Sequence, residues 1–238
     1  MDNLKKSFKE LKWYEIIMIV IMVAIAGLSI YNAIVHPETS SNPLWLTIIN
    51  FISAICGIFC IFFCAKANIS NFIFATVNTI VYAIFLYYQK IYGTFALEVL
   101  FYLPVNFISW YIWVKHRDEV LVEKTKSKKL TLSQNAICTA LILAGGIGTH
   151  YVLVKIGGDV AWLDAFTVSI GIIASLLEML RYKEQYVWWI ITDVIAVAMY
   201  IVHFDPVYLT KKSIYLVMAV IGLMNWHNLN KERNKSNE

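Results

Sequence analysis

The chain has 238 residues, of which 59% are hydrophobic and 15% charged. Soluble domains run near about 45–50% apolar and about 25% charged, so this composition excludes an ordinary soluble enzyme, a disordered chain and a disulfide-stapled secreted domain. The formal net charge of +4 comes from basic clusters that flank apolar runs rather than cover one face, a pattern that sets membrane topology and excludes nucleic acid as a partner.

Eight apolar segments follow in chain order, at roughly 15–35, 44–65, 71–89, 95–114, 135–154, 160–180, 186–204 and 212–228. Each is near the length that crosses a bilayer, and each must be helical because lipid offers no partner for free backbone groups. The first reads as a retained span, not a cleaved signal. Polar breaks lie at His36–Pro43, at Gly157, Gly158 and Asp159, and at Asp205–Pro206, and Pro104 should kink the fourth span. With both termini in the cytoplasm, 16 of the 20 Lys and Arg residues stay inside; Lys90, Lys155, Lys211 and Lys212 fall outside.

An internal repeat runs through these segments. Asn50, Ser53 and Gly57 match Asp164, Thr167 and Gly171; Asn71, Phe74 and Asn78 match Tyr186, Trp189 and Asp193; Ser109 and Trp113 match Gly222 and Trp226. The offset stays between 113 and 115. Each unit holds three spans, an odd number, so two fused copies would face opposite ways; one joining helix restores a common orientation. The expected fold is therefore an all-α polytopic membrane protein of eight spans. A tail and extra transmembrane helix occupy 1–43, and the first three-helix repeat 44–115. A basic cytoplasmic loop spans 116–134 and a linking helix 135–158. The second, parallel three-helix repeat covers 159–228, and a cytoplasmic tail 229–238.

Charged side chains within spans cost about 2.5–3.5 kcal/mol on insertion scales, so Glu98, Asp164, Glu178 and Asp193 each call for a reason. Glu178, three residues before Arg181, reads as half of an interfacial ion pair, and Asp164 as a wetted span end. Glu98 and Asp193 lie deeper. Tyr186, Trp189 and Asp193 share one face of the seventh span, continued by Tyr200; Asn71, Phe74, Asn78 and Tyr82 form a comparable stripe in the third. Brought together, the stripes would line a polar slot with aromatic walls. Such walls hold flat rings and cations, carboxylates add charge complementarity, and amides bond hydroxyls or a carboxamide. A flat, cationic, sugar-bearing molecule fits this inventory. Tyr186 and Trp188 equally suit an interfacial aromatic belt, and Asn78 suits contact between helices.

Other chemistry has no motif here. A phosphate-binding loop and a zinc-protease helix are lacking, and the five histidines do not form a catalytic set. Cys56, Cys60 and Cys64 recur every fourth residue as small packing groups on one helical stripe, and Gly145, Gly146 and Gly148 as sites of close packing. The expectation is no catalytic residue, no metal and no cofactor.

The chain resembles the PnuC-type vitamin transporters. The resemblance rests on Asn71 through Asn78 with Tyr82, on Tyr92–Gly93, on Ala96–Leu97–Glu98 leading to Leu103–Pro104, and on Trp110 through Trp113. In the second half it rests on Trp189 and Asp193 and on Ile221–Gly222 ending at Trp226. It implies a three-plus-one-plus-three bundle similar to the SWEET sugar transporters, and uptake of nicotinamide riboside by facilitated diffusion with phosphorylation inside the cell as the trap. A W-x-x-W-x-x-x-[ND] stripe in such transporters contacts the vitamin; Trp189 and Asp193 match it, Tyr186 stands where the first Trp is expected, and Trp188 is next door. The implied binding residues are Trp189, Asp193, Tyr186, Trp188, Asn78, Glu98, Phe74 and Tyr82. Relatives of similar pattern carry thiamine, riboflavin or deoxynucleosides, and a receptor subunit that binds without transport would look alike. The implied partners are a small vitamin or nucleoside, the lipid of the inner membrane, a cytoplasmic trapping kinase and, compatibly, further copies of the chain.

Overall fold

The computed structural model describes residues 8–9, 11–38, 42–89, 92–117, 125–156, 161–202 and 206–236. The expected break at 157–159 and Asp205 lie outside the described residues, as do the side chains of Asp164 and Tyr200. The architecture is helical: α1 (Trp13–Val35), α2 (Leu44–Ala65), α3 (Asn71–Tyr88), α4 (Tyr92–Leu97), a π turn (Glu98–Tyr102), α5 (Leu103–Lys115), α6 (Leu132–Ile156), α7 (Ala161–Met179), α8 (Gln185–Val202) and α9 (Pro206–Ser236). Among the described residues, five helical stretches are long and apolar enough to cross a membrane: α1, α2, α3, Thr94–Lys115 and Leu132–Val152. Ala165–Met179 and Gln185–Ala198 are shorter apolar helices. Large apolar side chains such as Ile16, Val20, Leu28, Leu100 and Leu141 lie exposed on the outside, as befits a surface whose solvent is hydrocarbon.

α2 packs on α3, and α7 on α8; these two groups of helices, α2–α5 and α7–α9, termed triplets, meet where α9 packs on α2 and α5 on α7. α6 lies along α7, and α1 lies along α2 and α9. Glycine permits the tightest of these approaches. A Cβ at Gly146 would stand 2.6 Å from the Phe166 ring, so α6 can reach α7 only without one. α1 is fixed at its start by a buried ion pair, Lys66 Nζ to Glu15 Oε2 at 2.7 Å.

α2 and α7 end in the same turn. Ala67 N donates to the Cys64 carbonyl at 2.9 Å and Asn68 N to the Phe63 carbonyl at 2.9 Å. In α7, Arg181 N donates to Glu178 O at 2.9 Å and Tyr182 N to Leu177 O at 2.8 Å. This is the Schellman pattern, which needs a left-handed residue after the helix; Ala67 (φ 55°) and Arg181 (φ 68°) supply it. The two turns are 114 residues apart. Each is capped from the opposite triplet: Trp113 Nε1 donates to Glu178 O at 2.9 Å, and Trp226 Nε1 to Cys64 O at 3.0 Å. Each indole also receives a ring from the second helix of its own triplet, Phe72 on Trp113 at 4.8 Å and Tyr186 on Trp226 at 5.6 Å. The segment after α5 ties both turns together, with Thr125 N on Ala67 O at 3.0 Å and Lys128 N on Arg181 O at 2.7 Å.

Pro104 does not act as a simple kink. It has no N–H for the carbonyl four residues earlier, and the chain widens the preceding turn instead: Leu103 N bonds Glu98 O, five residues back. π turns of this kind re-aim side chains, and this one carries Glu98 and Tyr102.

Candidate functional site

The two triplets enclose a cavity of about 350 Å³. α2 contributes Gly57, Cys60 and Cys64; α3 contributes Ala75, Asn78, Thr79 and Tyr82; the π turn contributes Glu98 and Tyr102. From the other triplet come Ser175 and Glu178 on α7, Tyr186, Trp189 and Asp193 on α8, and Lys211, Lys212 and Tyr215 on α9. Asn106 of α5 also reaches the wall. Cys60 and Cys64 thus face a cavity as well as packing between helices.

Two charged clusters hold one end. Lys212 Nζ bonds Asp193 Oδ1 at 3.0 Å. Lys211 is close enough to act electrostatically on Glu98 and Asp193, and its ammonium stands 5.5 Å from the Tyr82 ring centre and 5.7 Å from that of Tyr215. Glu98 hydrogen-bonds Thr79, whose Oγ1 accepts from Asn106 Nδ2 at 3.2 Å. Cations over aromatic faces and beside carboxylates are well held where water is scarce.

The other end is closed by the helix-end contacts. Tyr186 OH donates to Cys64 O at 2.8 Å. Its ring lies against Trp226 and over Gly222, where a Cβ would come within 2.5 Å of Cε1. Glu178 Oε1 accepts from Asn71 Nδ2 at 3.4 Å and from Cys64 Sγ at 3.5 Å. Glu178 therefore lies on the wall, held by an amide and a thiol, while the Arg181 Nη1 donates to the Lys126 carbonyl at 2.9 Å. That differs from the interfacial pairing with Arg181 expected above. The reason is the left-handed turn, which swings Arg181 away from the helix face that carries Glu178.

Of the eight residues singled out in the sequence, Trp189, Asp193, Tyr186, Asn78, Glu98 and Tyr82 stand on the cavity wall. Tyr186 is 4% exposed, so it closes an end rather than offering an open face. Asn78 Oδ1 accepts from Ser53 Oγ at 2.9 Å, linking α3 to α2. Phe74 and Trp188 are not on the wall. Phe74 lies in a ring cluster with Phe59 and Phe63, at 5.3 and 5.4 Å. Trp188 is half-buried, about 100° around the helix from Trp189.

The misplacement of Phe74 has a definite cause. The turn bonds keep the offset at 114 into the second helix, since Asn71 N bonds Asn68 O and Gln185 N bonds Tyr182 O. Trp189 is therefore the counterpart of Ala75, and Asp193 that of Thr79, both on the wall. Matching at 115 shifts the stripe by one residue, which turns it about 100° around the helix. In the third helix the offset is 113, and it pairs Glu98 with Lys211 and Tyr102 with Tyr215. Carrying that offset along from Trp113 and Trp226 would have found both in the sequence.

The family model described as nicotinamide mononucleotide transporter matches residues 47–228. A nicotinamide riboside transporter PnuC from Neisseria mucosa is 31% identical over 187 residues, covering 75% of this chain and 71% of that protein. The Haemophilus influenzae protein of the same description is 27% identical over 191 residues, 80% of this chain and 82% of its own. A crystal structure of the vitamin B3 transporter PnuC superposes with a TM-score of 0.75 at 27% identity, over 98% of each chain. The chain belongs to the nicotinamide mononucleotide transporter family, whose members are transporters and not enzymes.

Proposed function

We propose that this chain carries nicotinamide riboside across the inner membrane by alternating access, without a coupled energy source, and that phosphorylation inside the cell keeps the vitamin there. In this reading both termini are cytoplasmic. Eight spans follow a three-plus-one-plus-three plan: repeats at 44–115 and 159–228, a linking helix at 135–158, and an extra helix within 1–43. Reciprocal contacts at offsets of 113 and 114 support parallel triplets. The observation that carries the function is the 350 Å³ cavity between the triplets, within the range of about 300–1,000 Å³ usual for small-molecule sites. Trp189 lines it, together with amides and charged groups. Trp189 stacks the ring, Asp193, Asn78, Thr79 and Glu98 orient the sugar, and rocking of one triplet against the other moves the opening from one side to the other.

The test is uptake of labelled nicotinamide riboside into proteoliposomes that enclose a nicotinamide riboside kinase and ATP. Wild-type protein accumulates label. Trp189→Ala lowers the affinity roughly tenfold to hundredfold, the usual effect of removing a stacking aromatic. No uptake by the wild type, or undiminished affinity in the variant, would overturn the reading.

A further inference from the structure

The cavity wall carries three carboxylates, Glu98, Asp193 and Glu178, and two ammonium groups, Lys211 and Lys212. Their arrangement is uneven. Lys212 is bonded to Asp193 at 3.0 Å, and Lys211 faces Glu98 across the junction between the triplets. The Glu98–Asp193 end therefore already contains its own cations. Among the described residues the ion pairs are Lys66–Glu15 and Lys212–Asp193, and neither involves Glu178. Among the described residues its carboxylate meets neutral groups, the Asn71 amide and the Cys64 thiol, and no ammonium acts on it as Lys211 acts on Glu98. Two aromatics of α8 stand nearby on the same wall: Tyr186, whose hydroxyl oxygen lies 3.4 Å from Cys64 Sγ, and Trp189, one helical turn further on.

We infer that Glu178 is the charge-selecting residue of the site, the one carboxylate left to balance a singly cationic aromatic ring held between it and Trp189. This rests on the transport reading above and refines it. The site is polarised: a flat cation lies at the Glu178 end, and the hydroxyl-bearing part of the substrate lies toward the Thr79, Asp193 and Lys212 end. Asp193 holds Lys212, and Glu98 has the Lys211 ammonium within electrostatic reach, so both offer little further attraction to a cation, whereas a wall carboxylate with no ammonium near it offers much. Glu178 is well placed for this because the Schellman turn and the Trp113 indole fix its backbone, and Asn71 fixes its side chain.

The test compares two ligands of nearly one shape by calorimetry on the purified full-length protein. Nicotinamide riboside carries the pyridinium charge; benzamide riboside has a neutral phenyl ring in its place. The wild type is expected to favour the cation by about tenfold or more, which is about 1.4 kcal/mol. Glu178→Gln is expected to remove most of that preference while still binding the neutral ligand. Equal affinities in the wild type, or an unchanged preference in Glu178→Gln, would overturn the assignment. If Glu178→Gln does not yield folded protein, the same ratio is read on Glu178→Asp, whose carboxylate is drawn back by one methylene. A fall of about threefold supports the assignment, and an unchanged ratio overturns it. Wild-type protein that binds neither ligand defeats the transport reading itself. Binding of both without preference defeats the charge assignment alone.

Discussion

Trp113 and Trp226 make one bond in duplicate, each capping the last turn of a helix in the other triplet. Phe72 and Tyr186 support these indoles from matching positions. Glu98 and Lys211 also occupy matching positions, yet they carry opposite charges and face each other across the cavity. Thr79 and Asp193, or Cys64 and Glu178, differ in the same way. The contacts at these matching positions thus share their geometry, while the matching residues on the cavity wall differ. A duplicated frame would give a symmetric chamber, suited to a symmetric ligand. The substitutions that face the cavity turn it into a site with two unlike ends.

The largest expected effect comes from breaking the charge arrangement on one side alone. Lys212→Met leaves Asp193, whose side chain is 4% exposed, without its bonded cation, though with the Lys211 ammonium still in electrostatic reach. Breaking a buried pair costs about 3–5 kcal/mol, and the 24% exposure of Lys212 puts this case near the lower limit, at about 3 kcal/mol. The double variant Asp193→Asn with Lys212→Met is expected to recover most of the loss, because no charge is stranded. Thermal unfolding of the purified protein in detergent checks both. If the double variant is as unstable as the single one, the pair is not what holds this end of α9 to α8.

The frame is more legible in the sequence than the wall, for a physical reason. Membrane character, helicity and duplication are written in many residues at once, so a few mismatches do not obscure them. The wall depends on single-residue register. Chemical type matches Phe74 to Trp189, since both are aromatic, but the Schellman turns set the register so that Ala75 is the counterpart. Lys211 and Lys212 fall where an apolar stretch begins, so composition assigns them to a loop. α9 starts at Pro206 instead, earlier than the apolar run, and carries both lysines into the cavity. Glu178 looked paired with Arg181 because they lie three residues apart; the positive φ of Arg181, invisible to periodicity, separates them.

The shared frame can be sharpened by deleting its two indole bonds, one at a time. Trp113→Phe and Trp226→Phe each keep a ring and lose an N–H donor, a change worth about 1 kcal/mol. The effects should not be equal. Cys64 O also accepts from Ala67 N and from Tyr186 OH, so it remains well satisfied without Trp226. Glu178 O keeps only the Arg181 N–H when Trp113 is changed. Trp113→Phe is therefore expected to be the more destabilising in the same unfolding measurement, and the reverse order would show that the two contacts are not equivalent in strength.

The smallest effect separates the two turns themselves. Ala67 and Arg181 both hold a left-handed backbone, which costs a residue with a Cβ about 1–2 kcal/mol, and glycine escapes this cost while losing roughly 0.5–1 kcal/mol through its freer unfolded chain. Ala67→Gly removes only a methyl group, so it should be neutral or stabilising by up to about 1 kcal/mol. Arg181→Gly gains the same backbone relief but gives up the bond from Nη1 to the Lys126 carbonyl, a charge-assisted contact worth about 1.5–3 kcal/mol. It should therefore be destabilising. Opposite signs at positions 114 residues apart, read from the same melting curves, would show that the first turn holds the connecting segment through its backbone, while the second adds a side-chain bond to it. Matching signs would mean that the guanidinium contributes nothing to that tie.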